Sequence, residues 1–336
     1  MCVCANVVWF DLVGKGQDPR GMAPMKGHVG PDTWLIGVIC LGLLPLALAQ
    51  DRGQWTAGAA MPSARSEVAV AAVAGKVYVV GGFGGGTTLE VYDPAVDRWS
   101  RGAPGPRALH HAAAAGVEGK LYIVGGYADG GSPVNSVYEY DPAADRWRTR
   151  ATLPTPRGAL AGGVIDGKIY AVGGVAAGGR NTGAHEVYDL ATDRWTALAP
   201  LPTPRDHLAV ATAGGRLYAI GGRIDGSYAN NLAANEEYDP STDRWQSRAP
   251  MPTARSGIAA AALDGKIFVF GGEAPTGTFN RVEAYDPKTD RWSAHAPMLT
   301  ARHGLGAVAV GGRVYVLSGG PTPGGSASAA NEIFTP

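Results

Sequence analysis

Six arginines recur in similar local sequence along this 336-residue chain, about one in every 50 residues: Arg65, Arg107, Arg157, Arg205, Arg255 and Arg302. A planar guanidinium group binds the oxygens of carboxylates and sulfates in a bidentate manner. If the fold collects these arginines on one face, that face would attract acidic ligands such as sugar acids. The alternative is that each arginine bonds neighbouring loop carbonyls or carboxylates and supports the fold.

Two charged residues and a tyrosine form a second group of candidates. Arg223 and Glu273 each follow a Gly-Gly pair in neighbouring repeats, and packing explains these two positions least. Tyr228 lies in the longest of the loops that follow such pairs, where its ring could stack on a sugar or a peptide. We therefore predict a ligand-binding site made of these three residues and the arginines from Arg107 to Arg302.

Histidines and glutamates recur near the same positions. Apart from one adjacent pair, the histidines lie in different repeats, without the short spacing typical of zinc ligands, so we predict no metal site and no cofactor. They are His110, His111, His207 and His303. The glutamates keep step with the repeat, so we expect them to be structural hydrogen-bond acceptors. They are Glu90, Glu186, Glu236, Glu283 and Glu332.

Cysteine usage and net charge exclude several classes of protein. All three cysteines, Cys2, Cys4 and Cys40, precede residue 50, so residues 50–336 contain no thiolate nucleophile, disulfide or cysteine metal ligand. The chain carries 29 basic and 29 acidic side chains. A neutral chain without a Lys/Arg run lacks the electrostatic signature of nucleic-acid binding, so we expect no nucleic-acid partner.

Residues 1–49 have the character of a leader. Residues 34–49 carry no charge and end in Ala47-Leu48-Ala49, a cleavage pattern of secretory signals. The apolar run is short for a membrane span and contains Pro45. We expect a secreted or periplasmic protein whose translation starts at Met25 and whose mature chain has no membrane span. The alternative is an uncleaved anchor.

An internal repeat of 44 to 50 residues fills the rest of the chain. Asp-Arg-Trp, Gly-Gly and Tyr-Asp recur in register, and each unit predicts four short antiparallel strands separated by Gly, Pro and Asp turns. Because the first two strands of each unit are apolar on both faces, we expect the sheets to stack face to face around an axis.

The spacing also predicts how the ring of sheets closes. Each Trp precedes the first glycine of the next pair, or Ser318 in its place, by 26 residues. The last unit lacks its Trp strand, whereas Trp55 stands unmatched before the first unit. We therefore predict that the strand around Trp55 completes the sixth sheet, which leaves no unpaired edge.

These motifs resemble kelch repeats over residues 54–336, with Met-Pro-x-x-Arg as a further element. The resemblance implies an all-β fold, a six-bladed β-propeller of four-stranded antiparallel blades in residues 50–336. It also implies that some of the arginines contact acidic partners. The loops between the second and third strands vary most in length, and they share one face with the arginines, so we expect binding on that face.

Two classes of function remain after these exclusions. The first is a secreted, monomeric binding module for an acidic or carbohydrate ligand or a protein partner. The second is a sugar-acid epimerase resembling the N-acetylneuraminate epimerases, with Glu273 and either Arg281 or Arg223 as its acid/base and positioning groups. Copper radical oxidases, also built from kelch repeats, need a Cys–Tyr cross-link that residues 50–336 cannot provide.

Overall fold

Each repeat folds into one four-stranded antiparallel sheet, which we call a blade, with its strands in the order a-b-c-d. The structure is a computed structural model that describes residues 52–128 and 130–336. The predicted leader, with its signal and its start at Met25, lies outside the described residues. Residues Gln50–Pro336 form one compact unit.

The strands recur at the same place in every repeat. Strands a are Ala69–Val73, Ala113–Val117, Ala161–Ile165, Ala209–Ala213, Ala259–Leu263 and Gly306–Val310. Strands b are Lys76–Val80, Lys120–Val124, Lys168–Val172, Arg216–Ile220, Lys266–Phe270 and Arg313–Leu317. Strands c are Leu89–Asp93, Val137–Asp141, His185–Asp189, Asn235–Asp239, Val282–Asp286 and Asn331–Thr335. Strands d are Arg98–Arg101, Arg146–Thr149, Arg194–Ala197, Arg244–Ser247, Arg291–Ala294 and, for blade six, Gln54–Ala57.

Strands a surround the axis of the propeller. Each contacts the strands a of its two neighbours, including the pair formed by blades six and one. Their Ala, Gly and Val side chains are small enough for six strands to meet, and they line a central channel of about 470 Å³. The apolar strands b and c pack between neighbouring blades, so the core is a ring of inter-blade layers.

The N-terminal strand closes the ring, as the sequence predicted. Gln54–Ala57 pairs antiparallel with Asn331–Thr335, which places Trp55 opposite Phe334. The two rings lie 5.0 Å apart. Trp55 also donates its indole N–H to the carbonyl of Ala296 at 2.9 Å. Chain ends that are far apart in sequence therefore share one sheet.

The recurring Tyr, Asp and Trp residues tie each blade to the one before it. In blade one, Asp97 accepts hydrogen bonds from the hydroxyl of Tyr92 and the backbone N–H of Ala59, both at 2.7 Å. Trp99 donates to the carbonyl of the same alanine at 2.7 Å. The equivalent bonds recur in blades two to five. The Asp and Trp residues therefore recur in these repeats because they make the same contacts between neighbouring blades.

The loops between strands b and c add short elements on one face. They include the two-residue strands Val175–Ala176, Arg180–Asn181, Glu273–Ala274 and Gly277–Thr278 and the 3-10 helix Tyr228–Asn230. Arg157–Gly158, just before a strand a, pairs with the first of these. Within the part of the chain that the structure describes, no helix is long and apolar enough to cross a membrane.

His185 gives the fold a testable dependence on pH. Its side chain is 2% exposed, and burial lowers its pKa to about 4 from 6.5. The unfolded chain therefore binds a proton between pH 6.5 and 4 that the folded chain does not bind, and stability falls as the pH falls through that window. The loss reaches about 3 kcal/mol at the acid end.

His185→Asn is expected to remove this part of the pH dependence. Asn235 and Asn331 occupy the same position in other blades and donate to equivalent carbonyls at 3.2 and 3.1 Å. Urea unfolding of wild type and variant at pH 4 and 7 measures the difference. Parallel stability curves for the two proteins would contradict the assignment to His185.

Candidate functional site

One residue from each blade forms a closed ring of backbone hydrogen bonds around the axis, on the face that carries the b–c loops. Each N–H of this axial ring donates to the carbonyl of the preceding blade's residue at 2.7 to 3.1 Å, and blade one donates to blade six. The members of the axial ring are Glu67, His111, Ala159, His207, Gly257 and Gly304. The ring gathers side chains that are more than 40 residues apart in sequence.

The axial ring has left-handed backbone geometry in every blade, with φ between 49° and 63°. Blades five and six place glycine there, which adopts this conformation freely. Glu67, His111 and His207 adopt it at a cost of roughly 1–2 kcal/mol each. Ala159 adopts the same geometry without a polar group, so the ring itself needs none, and the polar side chains of Glu67, His111 and His207 are candidates for a further role.

Two further rings of residues surround the axial ring. The residue before each axial position pairs through its backbone with the residue that follows the Gly-Gly pair of the same blade. The pairs are Ser66 with Phe83, His110 with Tyr127, Gly158 with Val175, Asp206 with Arg223, Ser256 with Glu273, and His303 with Gly320. The structure thus places Arg223 and Glu273 beside the axis.

Arg223 connects the charged residues of this cluster. It donates from Nη1 to Oε1 of Glu273 at 2.7 Å, and its Nε lies 3.3 Å from Oδ1 of Asp206. Its Nη2 lies 3.0 Å from Nε2 of His207, whose Nδ1 contacts Asp206. The side chains of Arg223, Asp206 and Glu273 are less than 10% exposed, and that of His207 is 11% exposed. Arg223 therefore faces two carboxylates at once.

His303 bridges two carboxylates. Its Nδ1 lies 3.4 Å from Oε1 of Glu67 and 3.3 Å from Oε2 of Glu273. Burial alone would lower the pKa of His303, but the hydrogen bond to Glu67 and the charges of both carboxylates raise it overall. The Nε2 of His303 lies 3.1 Å from the carbonyl of Thr322 and its Nδ1 faces both carboxylates, so both ring nitrogens lie near acceptors.

Glu67 and His111 respond to burial in different ways. Burial would raise the pKa of Glu67, but the imidazoles of His111, His303 and His207 around it lower the pKa overall. Burial lowers the pKa of His111 to about 3, against the opposing charge of Glu67. At neutral pH the cluster thus presents an ionised Glu67 next to a neutral His111, with Oε2 and Nε2 3.3 Å apart.

Aromatic side chains border the polar cluster. Phe83 is 41% exposed, and its ring lies 4.4 Å from that of His110, which in turn lies 5.5 Å from Tyr127. These residues adjoin a pocket of about 510 Å³ lined by Phe83 and His110. On the other side, Arg223 lies over the ring of Tyr228 at 4.6 Å. The site therefore combines polar groups at the axis with aromatic surface at the rim.

The recurring arginines do not line this mouth. Five of them are fully buried and pair with the recurring glutamate on strand c of their own blade: Arg65 with Glu90, Arg157 with Glu186, Arg205 with Glu236, Arg255 with Glu283, and Arg302 with Glu332. Their remaining donors reach backbone carbonyls, as Arg205 does to Gly221 at 2.7 Å. The expected role of Arg157, Arg205, Arg255 and Arg302 in ligand binding is therefore corrected to a structural one.

Blade two departs from this pattern. Leu109, 6% exposed, accepts the backbone hydrogen bond from Gly82 that the buried arginines accept in other blades. Tyr138 stands where those blades have the glutamate, and Arg107 lies two residues earlier with an exposed side chain. The Trp-to-Arg spacing shows the shift: it is ten residues in the other blades and eight here. Arg107 was therefore wrongly aligned with the others.

The structure also decides between the two arginines considered as partners of Glu273. Arg281 is exposed at the start of a strand c, whereas Arg223 makes the contact to Glu273. The sequence analysis placed His207 and His303 near the site but missed Glu67 and Asp206. A constant offset would have revealed the axial ring, because each member follows the buried arginine, or Leu109, by two residues.

The fold and the axial cluster define a six-bladed β-propeller with a polar site at one end of its axis. The family profile described as the KLHDC2/KLHL20/DRC7 Kelch-repeats domain matches residues 88–250 and 199–334, and that of the Kelch motif matches residues 64–106. These matches cover most of the chain, which therefore belongs to the kelch-repeat family. No curated protein sequence matches the chain.

A solved structure titled "Structure of YjhT" has the same fold. It superposes with a TM-score of 0.74 at 18% sequence identity, and the alignment covers 84% of this chain and 97% of that chain. At this level of identity the similarity establishes the architecture alone.

Proposed function

We propose that the protein is a binding module that holds a small carbohydrate at the axial cluster of its loop face. The observation that carries this proposal is the retention of Glu67, His111 and His207 in left-handed backbone geometry, where blades five and six have glycine. Polar side chains held at an energetic cost over a channel mouth are typical of ligand sites.

The charges favour a hydroxyl-rich ligand over a strongly acidic one. Glu67, Asp206 and Glu273 bring three carboxylates to the site, and Arg223 brings the one guanidinium that contacts two of them. Carboxylates accept hydrogen bonds from hydroxyl groups, whereas imidazoles can donate or accept. The rim aromatic Phe83 offers an apolar surface for the face of a sugar ring. In keeping with the signal-like leader, we propose that binding occurs outside the cytoplasm.

Glu67→Gly is expected to weaken sugar binding by about 10- to 100-fold, because hydrogen bonds to a charged group contribute about 1.5–3 kcal/mol. The melting temperature should change little, since glycine suits the backbone of the axial ring. Calorimetric titration with glucose, galactose, N-acetylglucosamine and N-acetylneuraminate measures the affinity. Ala159→Gly changes the same ring without removing a polar group and serves as the matched control.

Two results would contradict the proposal. One is that none of these sugars binds the wild-type protein. The other is that Glu67→Gly binds as tightly as the Ala159→Gly control.

A sugar-acid epimerase is the second candidate, and the position of His303 favours it. An imidazole within 3.4 Å of both Glu67 and Glu273 is an arrangement that general acid–base catalysis uses. Glu273 keeps the role that the sequence suggested, with Arg223 rather than Arg281 as its positioning partner. Proton exchange on N-acetylneuraminate, measured for the wild type and for Glu273→Gln, separates this candidate from binding alone.

A further inference from the structure

We propose that Glu67, His111 and His207 form a binding site for a divalent transition-metal ion at the mouth of the central channel. Each of the three offers a ligand atom, and these atoms lie within 4.8 Å of one another. The proposal concerns the same cluster as the carbohydrate site but does not require that a sugar binds.

The donor set is one that metals use in proteins. Two imidazoles and one carboxylate hold zinc in catalytic sites and iron(II) in facial sites, and both arrangements leave coordination positions open. Here the open side is the channel mouth, where the axial ring borders a cavity of about 100 Å³. The other ring positions, Ala159, Gly257 and Gly304, carry no side chain that competes for this space.

Each of the two imidazoles, His111 and His207, is oriented by a contact at its Nδ1 atom. His207 holds the carboxylate of Asp206 at its Nδ1, and Asp206 in turn accepts a hydrogen bond from Asn181 at 2.5 Å. The Nδ1 atom of His111 lies 2.6 Å from the Nδ1 atom of His110, within hydrogen-bond distance. Both Nε2 atoms are thereby directed towards the cluster. A carboxylate behind a histidine is the outer-shell arrangement that fixes metal-ligating imidazoles.

The space around Glu67 is also reserved for its carboxylate. A Cβ atom at Gly304 would overlap Oε1 of Glu67, so a side chain in blade six would displace the group. Glycine at this position therefore has a second use besides its positive φ. It leaves the carboxylate free to lie against the axis.

Charge gives an independent argument. The carboxylates of Glu67, Asp206 and Glu273 share the cluster with the guanidinium of Arg223 and the imidazole of His303, in side chains that are 11% exposed or less. Burying unbalanced charge is costly unless it is paired or bound to a metal. A divalent cation between Glu67 and the two imidazoles would place positive charge beside Glu67, whereas Arg223 contacts the other two carboxylates.

Metal binding requires one local rearrangement. Metal–ligand bonds are about 2.0–2.2 Å long, so the three ligands must approach each other by roughly 1 Å. Nη2 of Arg223, 3.0 Å from Nε2 of His207, must also withdraw. Because the guanidinium is planar and rigid, this movement also lengthens the contacts of Nη1 to Glu273 and of Nε to Asp206.

The test is calorimetric titration of chelator-treated protein with Zn²⁺, with the visible absorption of bound Co²⁺ as a second readout. We expect one site per chain, and His111→Gly and His207→Gly should each weaken Zn²⁺ binding by about 100-fold or more. Asp206→Asn should weaken it by about 10- to 100-fold, as outer-shell changes do. Ala159→Gly, in the same ring, should bind like the wild type.

The glycine variants are chosen to fold, since blades five and six already have glycine there. Wild-type protein that does not bind Zn²⁺ at micromolar concentration, or glycine variants that bind as tightly as the wild type, would overturn the proposal. Sugar titrations repeated in EDTA keep the two ideas apart. If sugars bind but Zn²⁺ does not, the carbohydrate proposal stands and the metal proposal fails. If Zn²⁺ binds at this site but sugars do not, the metal proposal stands and the carbohydrate proposal fails.

Discussion

Arg205→Ala is expected to destabilise the propeller by about 3–5 kcal/mol, because it leaves Glu236 buried without a counter-charge. Arg205 is fully buried and also donates to the carbonyls of Gly221 and Ala219, at 2.7 and 2.8 Å. An exposed ligand-binding arginine would instead change stability by about 0–1 kcal/mol. Urea unfolding followed by tryptophan fluorescence measures the loss.

Blade two supplies the matched control for this prediction. There Leu109 and Tyr138 take the places of the arginine and the glutamate, within one apolar cluster. The double variant Arg205→Leu, Glu236→Tyr copies that pair, and it should recover at least half of the stability lost in Arg205→Ala. If Arg205→Ala unfolds within about 1 kcal/mol of the wild type, the Arg–Glu pairs are not what supports the blades.

The architecture could be predicted because its causes are local and repeated. Asp97 bonds Tyr92 five residues before it, and Trp99 bonds Ala59 40 residues before it, so these contacts recur with the period and the same letters return in every unit. The predicted closure at Trp55 is confirmed. It could be predicted because the last unit lacks its Trp strand and the strand around Trp55 stands before the first unit. The spacing of motifs along the sequence is sufficient to predict those contacts that recur with the period of the repeat.

The role of the recurring arginines could not be predicted from the spacing of the motifs. Arginines and strand-c glutamates share the period, and the sequence left two roles open for the arginines, ligand binding or bonds to neighbouring carbonyls and carboxylates. In the structure the two sets form buried ion pairs, as Arg255 and Glu283 do. The two charged positions are neighbours in five blades, and blade two has neither charge, as expected if each needs the other.

The axial ring follows a constant offset in the sequence, but the side chains that it brings together form no sequence motif that marks them as a site. Its members come one from each blade, so residues such as His111 and His207 are about 100 positions apart while their rings lie 4.9 Å apart. Equivalent positions of different blades meet at one axis, so the side chains of a site in this fold need not be close in sequence. The left-handed backbone at Glu67, which directs its side chain, also leaves no trace in residue type.

Deletion of residues 50–60 is expected to destabilise the protein by several kcal/mol, since the loss of a Trp from a core costs about 3–5 kcal/mol, the half-buried Trp55 lies towards the lower end of that range, and a whole strand is lost with it. The deletion removes Trp55, with its contacts to Phe334 and Phe270 and its hydrogen bond to Ala296. It also leaves the strand Asn331–Thr335 with an unpaired edge. Thermal unfolding measures the loss, and Thr56→Ala, at an exposed position on the same strand, is the control.

The unpaired edge gives this prediction a second readout. An exposed strand edge pairs with other chains, so the deletion variant should also associate at concentrations where the wild type does not, as size-exclusion chromatography would show. A synthetic peptide of residues 50–60 should raise the melting temperature of the variant by re-forming the sheet, because anything that binds only the folded state stabilises it. A deletion variant that melts within a degree or two of the wild type and ignores the peptide would show that blade six is stable with three strands.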